Sequence, residues 1–229
     1  MAPESAAAIE DLRARLRLTR WPDAPEDAGW AYGTDLDYLR ELVAYWLDEY
    51  DWPAAEAALA ELPRFRTEVG GLGIHFVHAR AVGRSGALPI ILTHGWPDSF
   101  WRYSKVVALL TDPGGHGGDP ADAFDVIVPD VPGFGYSGAP NGAPLSSIDV
   151  AGLWAGLMTT LDYDRFGAAG GDIGSHVSRY LALDHPDRVV AVHRMDAGLA
   201  AHQGDPADLS QAERDWMAAT VVWGASEGA

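Results

Sequence analysis

Apolar positions along the chain change their spacing twice, and the changes divide it into regions. From residue 5 to 62 they recur at helical intervals. Ile9, Leu12, Leu16 and Leu18, with arginines between them, predict one amphipathic helix; Leu36, Leu39, Leu42, Val43 and Trp46 predict a second, and Ala54–Leu62 a short third. Trp21-Pro22-Asp23 and Trp52-Pro53 interrupt these segments. Nothing here has catalytic spacing, so residues 1–64 read as a packing arm that Trp21, Trp30, Trp46 and Trp52 fasten to the main body.

From Phe65 the period becomes that of strands. Phe65–Val69 and Gly73–Ala81, joined across Gly70-Gly71, predict an antiparallel hairpin in which Ile74 and Phe76 alternate with His75 and His78. The histidines are placed on a polar face, and without a carboxylate or further histidine at supporting spacing no metal is expected. Leu88–Thr93 is a short unbroken apolar run, the pattern of a strand buried on both faces. It ends in His94-Gly95-Trp96-Pro97-Asp98 and is followed by a helical pattern at Phe100, Val106, Val107, Leu109 and Leu110. A further strand, Phe124–Pro129, enters the turn Asp130-Val131-Pro132-Gly133-Phe134-Gly135-Tyr136-Ser137, after which Ile148 to Leu161 predicts a long helix. Val189–Val192 is one more strand, and Leu209–Trp223 one more helix. Gly114–Gly118 lacks a following Lys-Ser/Thr and a strand-to-helix setting, so it is a loop and not a phosphate cradle. Strands alternating with helices of these lengths imply an α/β domain around a mostly parallel sheet.

The chemistry concentrates at Gly170-Gly171-Asp172-Ile173-Gly174-Ser175. The small-residue run Phe166, Gly167, Ala168, Ala169 leads in, and His176, Val177, Tyr180, Leu181 and Leu183 continue at helical spacing. Strand, a turn too tight for flanking side chains, then helix is the pattern of a nucleophile elbow, with glycines letting the backbone double back. The reactive position is an aspartate, whose carboxylate can act as a nucleophile through a covalent ester. Taken alone, Asp172 also fits a plain helix cap.

Composition narrows the classes. The 229 residues are 48% hydrophobic and include nine tryptophans, which fits one sizeable core and excludes a disordered chain. With 16 basic against 33 acidic residues the net charge is −17, which argues against nucleic acid or an anionic membrane as partner. The absence of cysteine removes disulfides, thiol nucleophiles and Cys-based metal sites. Met-Ala-Pro-Glu-Ser lacks the basic start of a signal peptide and no apolar run has transmembrane length, so the expected location is cytoplasmic.

Several of these segments, in order, resemble the epoxide hydrolases of the α/β-hydrolase fold, in the microsomal-type branch with a helical N-terminal region. They are Phe65-Arg66-Thr67-Glu68, Gly71 to His78, His94-Gly95-Trp96-Pro97, Asp125 to Pro129 with Pro132-Gly133-Phe134-Gly135, and Gly170-Gly171-Asp172-Ile173-Gly174. The resemblance spans residues from about 10 to 195, and departs at Ile173, where the family often has Trp. It implies an α/β-hydrolase core over residues 65–200 and the start of a helical lid over 201–229. It also implies roles. Asp172 attacks an epoxide carbon to give a hydroxyalkyl ester, and water then releases a diol with no cofactor. The backbone N–H groups of Trp96 and Ile173 form an oxyanion hole for the second step. His94 orders its loop, Gly95, Pro97, Gly170, Gly171 and Gly174 support the turns, and Trp96 and Phe134 line an apolar substrate pocket. The Trp96-Pro97 bond is a candidate cis peptide.

The same family has lid tyrosines, a late acid and a late water-activating histidine, and no position up to Ala229 matches them. His176, His185, His193 and His202 are read as structural. The expectation is thus an incomplete catalytic set with little turnover. A sheet cut short after Val192 would leave an edge open to self-association or to a complementing chain. Two alternatives remain at this stage: a haloalkane dehalogenase-like hydrolase, and a non-catalytic remnant that binds a small apolar ligand or a partner.

Overall fold

The computed structural model describes residues 5–140, 142, 144–195 and 205–226. His202 and the segment around it lie outside them. The chain divides into two compact units, Met1–Met195 and Asp196–Ala229.

Three helices open the first unit: α1 (Ala6–Arg17), α2 (Leu36–Asp48) and α3 (Trp52–Ala60). Each begins at a side chain that accepts a first-turn N–H, Ser5 from Ala8, Asp35 from Tyr38 and Asp51 from Ala54. None of the three has a fully buried residue. The aromatic contacts of the arm tryptophans stay within the arm. Trp30 packs on Tyr38, Trp52 on Tyr50, and Arg40 lies over the Trp21 ring. Trp30 and Trp46 are both exposed. The expected fastening by tryptophan is therefore corrected: Leu59 and Leu62, at the end of the arm, are the residues that pack against the core.

The sheet has six strands: β1 (Arg64–Val69), β2 (Leu72–Ala79), β3 (Pro89–Thr93), β4 (Asp125–Pro129), β5 (Phe166–Gly170) and β6 (Val189–Arg194). Their order is β1-β2-β4-β3-β5-β6. The β1–β2 and β2–β4 pairs are antiparallel, and β4–β3, β3–β5 and β5–β6 are parallel. The helices α4 (Ser104–Thr111), α5 (Ser147–Thr160) and α6 (Ile173–Asp184) cover it. Period-two alternation sends side chains to two apolar layers. Ile74, Phe76, Ile91 and Ile127 join Trp154, Leu157, Met158, Val177 and Leu181 from α5 and α6. Val77, Leu92, Val126 and Val128 join Phe100, Tyr103 and, from α4, Val107. Because both faces of β2 are covered, His75 is buried and not on a polar face as its alternation with Ile74 suggested. Gly114–Gly118 forms a short turn in a loop, as expected.

In the second unit, α7 (Gln211–Ser226) has no buried residue, and Trp216, Val221, Val222 and Trp223 are exposed.

At the amino end of β4, Asp125 ties three segments together. Its carboxylate accepts from Tyr163 Oη at 2.6 Å, Arg80 Nη1 at 2.8 Å and the Ala81 N–H at 2.8 Å. Burial alone would raise its pKa, but these donors outweigh it and hold the carboxyl below its ordinary value. A depressed carboxylate contributes stability above its unfolded pKa, and that contribution is lost as pH falls through the folded one. Tyr163→Phe should thus cost about 1–2 kcal/mol at neutral pH. Urea unfolding at several acidic pH values should show the gap from wild type closing below the ordinary carboxylate range.

Candidate active site

Three turns meet at the carboxyl edge of the parallel strands, the edge at which open α/β sheets bind ligands. Register makes them neighbours: Thr93, the last residue of β3, pairs with Gly170, the last of β5. Thr93 is itself fixed from two sides. Tyr103 Oη donates to its carbonyl at 2.9 Å, and the fully buried Trp154 donates its indole N–H to Oγ1 at 3.1 Å.

Only small residues permit the turn after β5. A Cβ on Gly174 would collide with the Thr93 carbonyl oxygen, and one on Gly170 would lie 2.5 Å from the Gly174 carbonyl. Gly171 is buried between them. The helix therefore starts almost on top of β3, and the residue at the bend, Asp172, adopts φ 55° and ψ −123°. A non-glycine residue there stores strain of about 1–3 kcal/mol.

The cap reading of Asp172 does not hold. The first-turn N–H groups of Gly174 and Ser175 bond to the carbonyls of Gly171 and Asp172, and the Asp172 side chain makes no capping bond. Its Oδ1 instead accepts the Trp96 N–H across the cleft at 2.9 Å. The Trp96 N–H, then that of Ile173, hold the carboxyl below its ordinary pKa, with the Arg102 and His176 charges adding to the effect. The group is exposed and ionised at neutral pH, which is the state a carboxylate nucleophile needs.

The turn that carries Trp96 is fitted closely. Trp96-Pro97 is cis. A Cβ on Gly95 would overlap the Asp172 carboxylate, so this position too is restricted to glycine. His94 is fully buried, and burial lowers its pKa. The Val131 N–H donates to its Nε2 at 3.0 Å, so the ring proton is on Nδ1, which donates to the Gly95 carbonyl at 2.9 Å. The half-buried Phe134 stands edge-on to the His94 ring, 5.6 Å between centroids, while the Trp96 ring is 71% exposed.

Among the described residues no histidine is hydrogen-bonded to Asp172, and His176 reaches it by charge alone. Sequence reasoning gave no site role to four residues that the structure brings to this edge. Asp130, fully buried, binds the ring of His75, and His75 accepts from Arg64. The signal for Asp130 was a charged residue directly after the apolar run 126–129. Arg194, at the end of β6, donates to the Ser175 carbonyl and hydroxyl, each at 3.0 Å.

A mixed sheet with a strained aspartate elbow opposite a His-Gly-Trp-Pro turn is the architecture of an α/β-hydrolase. A family model described as the epoxide hydrolase N terminus matches residues 3–103, and one for the α/β hydrolase fold matches residues 89–224. The structure of the Aspergillus niger epoxide hydrolase is similar with a TM-score of 0.83 at 30% identity, over 97% of this chain and 58% of that one. Juvenile hormone epoxide hydrolase from Bombyx mori gives 0.75 at 29%, over 84% and 51%. Epoxide hydrolase 1 of Sus scrofa is 35% identical over 189 residues, 81% of this chain and 41% of that protein. A Stigmatella aurantiaca relative, provisionally named an epoxide hydrolase, is 46% identical over 191 residues, 83% and 43%. The chain belongs to the epoxide hydrolases of the α/β-hydrolase family. It spans less than half the length of these two curated relatives.

Two glycine substitutions separate fold from site. Gly174→Ala, which meets fixed strand backbone, should lower stability by about 3 kcal/mol, the upper range for overpacking. Gly95→Ala should cost less in urea unfolding, because it meets the Asp172 side chain. In a carboxyl NMR titration it should move the Asp172 pKa up towards the ordinary value.

Proposed function

We propose that this chain opens epoxides through an ester on Asp172. One carboxylate oxygen is held by the Trp96 N–H; the other attacks a ring carbon, the C–O bond breaks, and the epoxide oxygen leaves as an alkoxide that takes up a proton. The product is a hydroxyalkyl ester of Asp172. Water addition to the ester carbonyl then places negative charge on the carbonyl oxygen, and the N–H groups of Trp96 and Ile173 are the donors available to it. The observation that carries this reading is the bond from the Trp96 N–H to Asp172 Oδ1, made across two turns by an ionised carboxylate that caps nothing. The strain at Asp172 supports it, since strained backbone recurs where a reactive group is pre-aimed. Apolar substrates fit the exposed Trp96 ring and Phe134, and aryl epoxides are the class to try first.

The two steps need different help. Ester formation uses a nucleophile that is already ionised. Ester hydrolysis gains about a hundred- to ten-thousand-fold from a base that activates water. Since no described histidine is bonded to Asp172, ester formation should outrun ester release in the 229-residue chain.

Intact mass after incubation with styrene oxide tests both halves. The expected result is one added epoxide mass, mapped to Asp172 and absent from Asp172→Asn. Diol with no lasting adduct would keep the nucleophile but overturn the arrest. Neither adduct nor diol from folded protein would overturn the reading altogether.

A further inference from the structure

The carboxyl edge holds a fully buried charge that the proposed chemistry does not use. Asp130 follows β4 and has no solvent exposure. Its Oδ1 accepts the Phe100 N–H at 2.8 Å, and its Oδ2 accepts the Tyr136 N–H at 2.9 Å and His75 Nδ1–H at 2.7 Å. His75 Nε2 in turn accepts from Arg64 Nε at 3.1 Å, and the Arg64 guanidinium lies 4.9 Å from the Phe100 ring centroid and 4.4 Å from that of Tyr136. The negative charge is thus offset by a cation delivered through a neutral imidazole. A Cβ on Gly135 would collide with the carboxylate, so the turn after β4 is wrapped tightly around it.

What this carboxylate grips is the turn that carries Trp96. The next residue, Val131, gives its N–H to His94 Nε2 at 3.0 Å. The segment from His94 to Phe100 is therefore tied to the end of β4 at both of its ends, at His94 by Val131 and at Phe100 by Asp130. Between the ties, Gly95 O accepts from His94 Nδ1 and from the Asp98 N–H, each at 2.9 Å. Trp96 is left pointing its N–H at Asp172. A donor at such a site contributes only if it is held in place beforehand, and a displacement of about 1 Å costs on the order of a hundredfold.

We propose that Asp130 is the positioning residue of the Trp96 N–H: its buried carboxylate fixes the Phe100 end of the turn and so sets the geometry at Asp172. This rests on reading the Trp96 N–H as a working donor to the Asp172 carboxyl. Asp130→Asn turns one acceptor oxygen into a donor that faces N–H groups, and so releases part of the grip without changing side-chain volume.

The test uses 15N-labelled chain without epoxide. In Asp130→Asn the Phe100 and Trp96 amides should exchange about tenfold faster or more relative to those of β5. The Asp172 carboxyl should titrate closer to the ordinary carboxylate range. Ser137→Ala is the control. Its hydroxyl touches only the Asp130 carbonyl and the His75 N–H in this network, so it should lower stability and leave both readings unchanged. Lower stability in Asp130→Asn with wild-type exchange at Trp96 and wild-type titration of Asp172 would overturn the proposal. If Asp130→Asn does not fold, exchange in the wild type decides: Phe100 and Trp96 should open together, with one shared dependence on denaturant, and independent opening would overturn it. Since no substrate is present, a chain that never forms an adduct still tests the positioning role, and a failed positioning role leaves the adduct result standing.

Discussion

A buried carboxylate is the constraint on which the carboxyl edge of this sheet depends. Removing a charge from water costs several kcal/mol unless its oxygens are saturated with donors. Asp130 meets that demand with two backbone N–H groups and an imidazole, drawn from the turn after β3, the turn after β4 and the strand β2. Each donor is a backbone or ring group that cannot move far without leaving the charge exposed to an apolar interior. The demand for saturation joins two turns and a strand into one assembly. A hydrophobic contact at the same place would have tolerated sliding; a buried charge with directional donors does not.

The elbow imposes a second constraint, of contact and not of charge. The first turn of α6 and the end of β3 approach so closely that glycine is required at both Gly170 and Gly174. Thr93, at the crossing, is held by Tyr103 and Trp154, which belong to opposite apolar layers. The bend at Asp172 is thereby supported by both faces of the core. This explains how a residue with φ 55° persists in the native state: the strain is local, and the packing that enforces it is spread over the domain.

Much of this was legible in the sequence, for identifiable reasons. Strands β3 and β4 declare themselves because burial on both faces leaves an unbroken apolar run, and α5 because its apolar residues keep helical period. Asp172 and the Trp96 turn were legible because glycines and a proline at close spacing have few other uses. The Asp130 network was not. Two of its pairs, Phe100 with Asp130 and His75 with Ser137, lie 30 and 62 residues apart in the chain, and nothing local announces them. His75 misled for a related reason. Alternation with Ile74 predicts a polar face, but the rings of Phe100 and Tyr136 pack on His75 and Asp130 binds it, so that face is closed. The arm tryptophans misled in the opposite direction. Large aromatic residues suggest anchorage to a core, yet here Trp30 and Trp52 pack on tyrosines of the arm and two leucines pack against the core.

The charge balance invites a comparison of scales. A net charge of −17 should, summed over the surface, favour protonated carboxyls and raise their pKa values. Asp172 moves the other way. Charges farther than a Debye length, about 8 Å at physiological ionic strength, are largely screened at an exposed site. The groups that decide its ionisation are those in contact or close by: the N–H of Trp96, the N–H of Ile173, and the charges of Arg102 and His176. Arg102 is itself oriented by Asp98 at 3.0 Å, from the same turn that presents Trp96. The turn after β3 therefore supplies both the strongest local donor and a positive charge, and its placement counts for more at Asp172 than the remainder of the acidic surface.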